Sequence, residues 1–356
     1  MLRPKQIVLV LFSLARGESH VDERAQGWQA KPQMNAATGR FGAVQILTVI
    51  GGANVDHVGA THAAPMQGVS NPGVAQTAPG GVGFNVATTL GRLGHCVRLV
   101  TRVGRDAAGT TLVNAAKAAG VNTTAIDVSP STSTASYLAA LDHTGSLILG
   151  IAAMGILDEF TPEQADIATN VQDPGDAWIL DANLIDETIA FLIERAKELT
   201  HTVVALAVSP IKAAKLKPHL GSLDLIFANR NEALVLLGIK APSPDSTAET
   251  LAAALHALGP EVVITDAGEP VAVASGGDVR TFKPLKATIR SVNGAGDALA
   301  AGTLHGLADG RSLFDAIPFG LAAAALTMEH EATVPPSINA AALADRLILA
   351  NSERSR

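Results

Sequence analysis

From Val44 onward, short runs of Val, Ile and Leu alternate with Ala-rich stretches of helical spacing, and this alternation constrains the fold more than any other feature of the chain. A continuous apolar run bounded by turn residues has no polar face. It therefore fits a strand covered on both sides, and the intervening helices supply the cover. The pattern predicts a doubly wound, mostly parallel α/β sheet. Its strands are expected at Ile46 to Gly51, Val97 to Val103, Ala177 to Asp181, Val203 to Ala207, Leu225 to Ala228 and Glu261 to Thr265. Helices are expected near Gly83 to Leu93, Gly109 to Ala119, Ile185 to Leu199, Asn231 to Leu237, Ala248 to Leu258, Gly296 to Gly306 and Leu313 to Met328. Hydrophobic residues make up 47% of the chain and aromatics only 3%, so Ala, Val, Leu and Ile must fill the core.

A length of 356 residues fits one large domain, here expected over 45–350, with a small appendage. Two segments, 57–78 and 131–152, break the βα rhythm and read as lid material. The second holds two β-rich runs, Ala135 to Leu141 and Ser146 to Ile151, around the turn signal Asp142-His143-Thr144-Gly145, which predicts a hairpin. A few projecting strands cannot bury their own apolar faces. The lid is therefore expected to pack over a substrate and against a second copy, as a homodimer.

The net charge of −7, with no basic stripe interleaved with aromatics, argues against a nucleic-acid partner. Cys96 is the sole cysteine, which excludes an intramolecular disulfide and a Cys-based zinc site and suits a reducing compartment. Arg3 and Lys5 ahead of the apolar Ile7 to Ala15 resemble part of a secretory signal, but that stretch is too short to cross a bilayer. Residues 1–44 are expected to form a poorly ordered N-terminal extension, with no membrane partner. His57, His62 and His143 show no metal-ligand spacing and read as solvated or packed imidazoles.

Three clusters carry chemistry. The first is Ser291-Val292-Asn293-Gly294-Ala295-Gly296-Asp297, just before an Ala-rich helix. Small residues let backbone N–H groups converge where the helix dipole favours negative charge, and Asp297 in the first turn could take the proton of an attacking hydroxyl. Ordinary helix capping competes with this reading. The second is Pro79-Gly80-Gly81-Val82-Gly83-Phe84-Asn85, together with Asn54 and Asp56 after the first strand, where ligands of open α/β sheets gather. Asn85 offers an amide able to donate to and accept from vicinal hydroxyls. A dinucleotide loop on Gly80, Gly81 and Gly83 fits poorly, because no tight strand-to-helix turn precedes them. The third is Asn229-Arg230-Asn231-Glu232 after an apolar strand. There Glu232 could orient magnesium-bound water with support from Asn229, or simply cap a helix.

In this order, Asn54-x-Asp56, Gly80-Gly81 with Asn85, Asn229-x-x-Glu232 and Gly294-Ala295-Gly296-Asp297 resemble the signature set of the PfkB, or ribokinase-like, family over roughly residues 45 to 345. The resemblance implies a doubly wound domain that binds ATP and magnesium, with a small β-lid closing over a sugar or nucleoside. By that resemblance Asn54, Asp56, Gly80, Gly81 and Asn85 hold the acceptor. Gly294, Ala295 and Gly296 form the anion hole, Asp297 is the base, Asn229, Glu232, Thr265 and Gly268 serve the nucleotide, and Glu232 serves the metal. Ser70-Asn71-Pro72-Gly73, the glycine core and Ser136-Tyr137-Leu138 with Leu141-Asp142-x-Thr144-Gly145 are similar to the pseudouridine-phosphorylating branch, which implies transfer to a 5′-hydroxyl and places Ser136 and Tyr137 near the base, with simple strand packing as the competing reading of Tyr137. A kinase for another nucleoside or for ribose is the alternative. A binding relative without turnover is another, because Ala267 and Pro270 stand where members commonly carry glycine. Ser291 replaces an acidic residue that many members carry near a monovalent cation, which leaves that ion open. An ATP-using enzyme of this kind is expected in the cytoplasm.

Overall fold

The computed structural model describes residues 46–170 and 177–354, with side chains as far as 350. The extension expected over residues 1–44 lies outside the described residues. In chain order the first half contains β1 (Ile46–Ile50), β2 (Asn54–Thr61), β3 (Gly73–Gly80), α1 (Val82–Arg92), β4 (Cys96–Gly104), α2 (Ala107–Ala118), β5 (Ile126–Ser129), β6 (Ser136–Leu141), β7 (Leu147–Ala153), α3 (Gly155–Asp158) and α4 (Pro162–Thr169). Next come β8 (Ala177–Asp181), α5 (Asp186–Glu198), β9 (Thr202–Leu206), α6 (Pro210–Ala213) running into a 3₁₀ segment (Ala214–Ser222), β10 (Leu225–Asn229), α7 (Arg230–Leu237) and α8 (Ala248–His256). The chain continues through β11 (Glu261–Thr265), β12 (Val271–Ser275), β13 (Asp278–Phe282), α9 (Ala295–Ala308), α10 (Leu313–Met328) and α11 (Ala340–Arg354).

Nine strands form one sheet in the order β13-β12-β11-β10-β9-β8-β1-β4-β5, parallel from β11 to β5 and antiparallel at β12 and β13. Strand residues alternate between two cores, as the period of two requires. Val49, Ile179 and Val263 pack with Phe84, Leu90, Leu299 and Leu304 on one face, while Ile50, Trp178, Leu180 and Ile264 pack with Leu192, Leu234 and Leu251 on the other. Each such side chain contributes about 1.5–3 kcal/mol by leaving water, which is why strands with no polar face hold the centre. Helix α9 is buried from Ala298 to Leu307 because small residues let α10 lie close along it. The turn from Gly294 to Asp297 at its start is thus mounted on a largely buried helix.

The second sheet, ordered β3-β2-β6-β7, is built from the two segments expected to form a lid. Strands β2 and β3 pair antiparallel, β2 runs parallel to β6, and β6 and β7 form the hairpin expected around Asp142 to Gly145. Leu138, Leu147, Leu149 and Ile151 are exposed, and the register sets Leu138 opposite Ile151 and Leu141 opposite Leu147. Neither edge of this sheet is paired among the described residues.

Candidate active site

The site gathers at the carboxyl ends of the central strands, and one acid organises it. Asp181 ends β8 fully buried; its Oδ2 accepts the backbone N–H of Gly52 at 2.8 Å and of Gly83 at 2.8 Å, while Oδ1 accepts that of Asn183 at 2.9 Å. It ties the turn after β1, the first turn of α1 and the loop after β8 into one unit. Burial pushes its carboxyl above the ordinary range, against the hydrogen bonds it accepts. Sequence reasoning missed it as a functional residue. The available signal was an acid closing a strand whose other residues, Ala177 to Leu180, are all apolar.

On the side expected to take the acceptor, Asn54 and Asp56 share one face of β2, and Asn54 Nδ2 donates to Asp56 Oδ1 at 2.6 Å. Burial raises the Asp56 carboxyl, with Asn54 and the charge of His57 opposing. A Cβ at Gly80 would stand 2.2 Å from Asp56 Oδ2, so the carboxylate lies directly against β3. Gly81 caps α1 with φ 99°, and a Cβ there would stand 2.6 Å from Gly52 O, so both conformation and space require glycine. Register pairs Asp56 with Tyr137 and Val55 with Ser136. This places Tyr137 on the Asp56 face of the lid. Ser136, expected near the base, stands on the opposite face, because neighbouring strand positions point to opposite sides.

At the turn expected to form the anion hole, Gly294 caps α9 at φ 75°, followed by Ala295, Gly296 and Asp297 in the first turn. N–H groups of a first helical turn have no partner within the helix, and the dipole adds positive potential there. Asn85, in the buried face of α1, donates its Nδ2 to Asp297 Oδ2 at 2.8 Å across 212 residues of sequence. Asn85 Oδ1 is buried without a protein partner. Burial, then the charges of Asp181, Glu232 and Asp56, push the Asp297 carboxyl up to about 7, with the Asn85 hydrogen bond opposing. A carboxyl poised there can exchange a proton near neutral pH.

Asn229 and Glu232 form a complete capping box at the start of α7. Asn229 N donates to Glu232 Oε2 at 2.7 Å, Asn229 Nδ2 to Oε1 at 2.7 Å, and Glu232 N to Asn229 Oδ1 at 2.9 Å. The capping explanation is therefore realised, yet the same two residues line an open cleft of about 590 Å³ together with Thr265, Gly296 and Asp297. Leu206, Phe227 and Val263 form its apolar wall. Gly268 lies outside that lining, exposed just after Ala267, which adopts φ 49°. At the other rim, Val208 is held at φ 68°, a costly conformation for a β-branched residue and one that no sequence signal announced. Each Glu232 oxygen accepts one bond and keeps further acceptor capacity, which fits a hard cation held through water. Among the described residues no three His, Cys, Asp or Glu side chains cluster as a metal cage. No helix among the described residues is long and apolar enough to cross a membrane.

Fold and site together define a ribokinase-like phosphotransferase that uses an alcohol acceptor. The pattern of the pfkB family carbohydrate kinases matches residues 45–340, and the chain belongs to that family. It is 29% identical over 297 residues to pseudouridine kinase of Escherichia coli K12, covering 83% of this chain and 94% of that protein. It is 30% identical over 287 residues to ribokinase of Haemophilus influenzae, covering 79% of this chain and 92% of that one. Among solved structures, a carbohydrate kinase from Agrobacterium tumefaciens superposes with a TM-score of 0.74 at 32% identity, covering 86% of this chain and 98% of that one.

Proposed function

We propose that the chain transfers the γ-phosphoryl group of ATP to the 5′-hydroxyl of pseudouridine. The observation that carries this is the 2.8 Å contact between Asn85 and Asp297, which joins the acceptor-side helix to the phosphoryl-side turn. In this reading Asp56, Asn54 and Gly81 hold the ribose hydroxyls, helped by the unpartnered Asn85 Oδ1. Asp297 takes the proton of the attacking hydroxyl, so the O–H bond breaks as the new O–P bond forms and ADP leaves. The first-turn amides after Gly294 receive charge spreading over the transferring group. Glu232 and Asn229 would hold a magnesium ion, whose chemistry when bound would be to neutralise phosphate charge. Positioning across the cleft supplies most of the acceleration.

Similarity to the Escherichia coli pseudouridine kinase supports the choice of nucleoside, together with the lid runs around Ser136-Tyr137 and Asp142-x-Thr144-Gly145. Similarity to ribokinase at 30% identity favours ribose as the second reading. Turnover with ATP and magnesium across pseudouridine, uridine, adenosine and ribose decides between them. Ribose as the preferred acceptor overturns the first reading, and nucleoside binding without any ADP formation points to a non-catalytic relative. We also propose that the exposed Leu138, Leu147, Leu149 and Ile151 are covered by the lid of a second copy, because an open apolar sheet face of this kind invites a partner. The enzyme is proposed to work in the cytoplasm, where its phosphoryl donor is present.

A further inference from the structure

One cation at the carboxyl ends of the strands is not used by the site as described. Lys212 lies in α6, just beyond β9, and is half-buried. Its Nζ donates to Asn183 Oδ1. The Asn183 amide stands against the turn after β1, where a Cβ at Gly52 would come within 3.0 Å of Nδ2, and Asn183 N donates to Asp181. Lys212 is therefore one side chain away from the turn that also backs Gly81 and the acceptor side. Burial lowers the Lys212 ammonium from its ordinary range, the Asp181 and Asp158 charges oppose that fall, and the neighbouring Lys215 reinforces it.

An ammonium carries three N–H donors. One is spent on Asn183, and no second acceptor is recorded for it among the described residues. The residue is only half-buried, so water meets its remaining donors in the free chain, and those donors stay available to acceptors of whatever binds there. The two ends of this chain of contacts, Lys212 through Asn183 and Gly52 to Gly81, Asn54 and Asp56, thus differ in polarity. Asp56 and Asn85 Oδ1 offer acceptors, which suit hydroxyl groups, whereas Lys212 offers donors, which suit an electron-rich oxygen. A free pentose has hydroxyls for the first end and no carbonyl for the second. A nucleoside with a pyrimidine-dione base has both.

We propose that Lys212 contacts a ring carbonyl oxygen of the acceptor's base and so selects a dioxopyrimidine nucleoside over a free pentose. This rests on the reading of the acceptor as a nucleoside. The competing role is a brace that only holds Asn183 against Asp181.

The test uses the full chain with Lys212→Met and Lys212→Arg. It measures calorimetric affinity for pseudouridine, uridine and ribose without nucleotide, then kcat and KM with ATP, then melting temperature. A selective contact predicts that Lys212→Met weakens pseudouridine and uridine about ten- to a hundredfold, appearing in KM more than kcat. Ribose affinity and the melting temperature should hold, and Lys212→Arg should restore part of the loss. Equal weakening of all three ligands, or a lowered melting temperature with kcat falling for every acceptor, identifies a brace and overturns the proposal. Undetectable binding of both nucleosides to the unmodified chain overturns it as well. Nucleoside binding that depends on Lys212 without phosphorylation keeps the contact and removes the reaction assigned above. Phosphorylation of pseudouridine with affinity indifferent to Lys212 does the reverse.

Discussion

Replacing Asp297 by Asn removes the proposed base while keeping the shape of the side chain and its contact with Asn85, whose Nδ2 can still donate to an amide oxygen. A positioned general base contributes about 10²- to 10⁴-fold, so kcat with the preferred acceptor should fall by that factor while KM for ATP changes little. The same change should stabilise the protein at alkaline pH. Ionising the folded-state carboxyl, raised from 3.8 to about 7, costs at most about 4 kcal/mol relative to the unfolded chain, and about half that once partial solvent access is allowed. The sign follows from proton counting: between those two values the folded chain holds a proton that the unfolded chain has lost, so wild-type stability declines as pH rises through that window and is flat above it. Asn carries no such load. Melting curves at pH 5 and pH 8, with ADP formation followed across the same range, check both halves. Turnover above about a tenth of wild type, a wild-type rate that plateaus well below pH 7, or a variant no more stable than wild type at pH 8 would each refute the reasoning.

Four further outcomes are expected. Asp181→Asn should lower unfolding free energy by about 1–3 kcal/mol in denaturant titration, because an amide N–H₂ turns a donor toward the backbone N–H groups of Gly52 and Gly83 or of Asn183. Gly81→Ala should abolish acceptor binding by calorimetry and lower the melting temperature, since the new methyl meets Gly52 O at 2.6 Å with φ at 99°. Ala267→Gly should raise stability by up to about 1 kcal/mol, the left-handed strain at φ 49° less the added entropy of the unfolded chain, read as a small rise in denaturant midpoint. Ile151→Glu should convert a dimer into a monomer in sedimentation velocity without lowering the melting temperature of the subunit, because the residue is already exposed in the single chain.

The sheet was legible because parallel strands buried on both faces carry few polar residues, and runs such as Ile46 to Ile50, whose single polar residue is the buried Thr48, or Val262 to Ile264 can be little else. Strands that escaped notice lack that constraint. Both β12 and β13 are an antiparallel appendage whose last strand is largely exposed, and β5 has only four residues. In the lid, β2 and β3 are rich in Gly, Ala and Thr and flank a Pro- and Asn-bearing turn, so their pairing depends on register that no local run encodes. At the site, the turn from Gly294 to Asp297 stood out because small residues before an acid at a helix start came in order with Asn54-x-Asp56, Gly80-Gly81 with Asn85, and Asn229-x-x-Glu232, which helix capping alone does not explain. Asp181 and Lys212 did not, because their meaning lies in partners distant in sequence: Gly52 and Gly83 for the first, Asn183 for the second. Ser136 sat one position from Tyr137, and in a strand one position changes the face.

Four acidic side chains, Asp56, Asp181, Glu232 and Asp297, lie close enough together for three of them to repel a proton's departure from the fourth. An incoming triphosphate bearing its full complement of negative charge therefore approaches a like-signed doorway, where repulsion slows encounter and weakens docking. Nucleotide that arrives already complexed with a divalent ion carries less of that burden. Uncomplexed nucleotide should accordingly be a weak visitor, favoured only as rising salt shields the entrance.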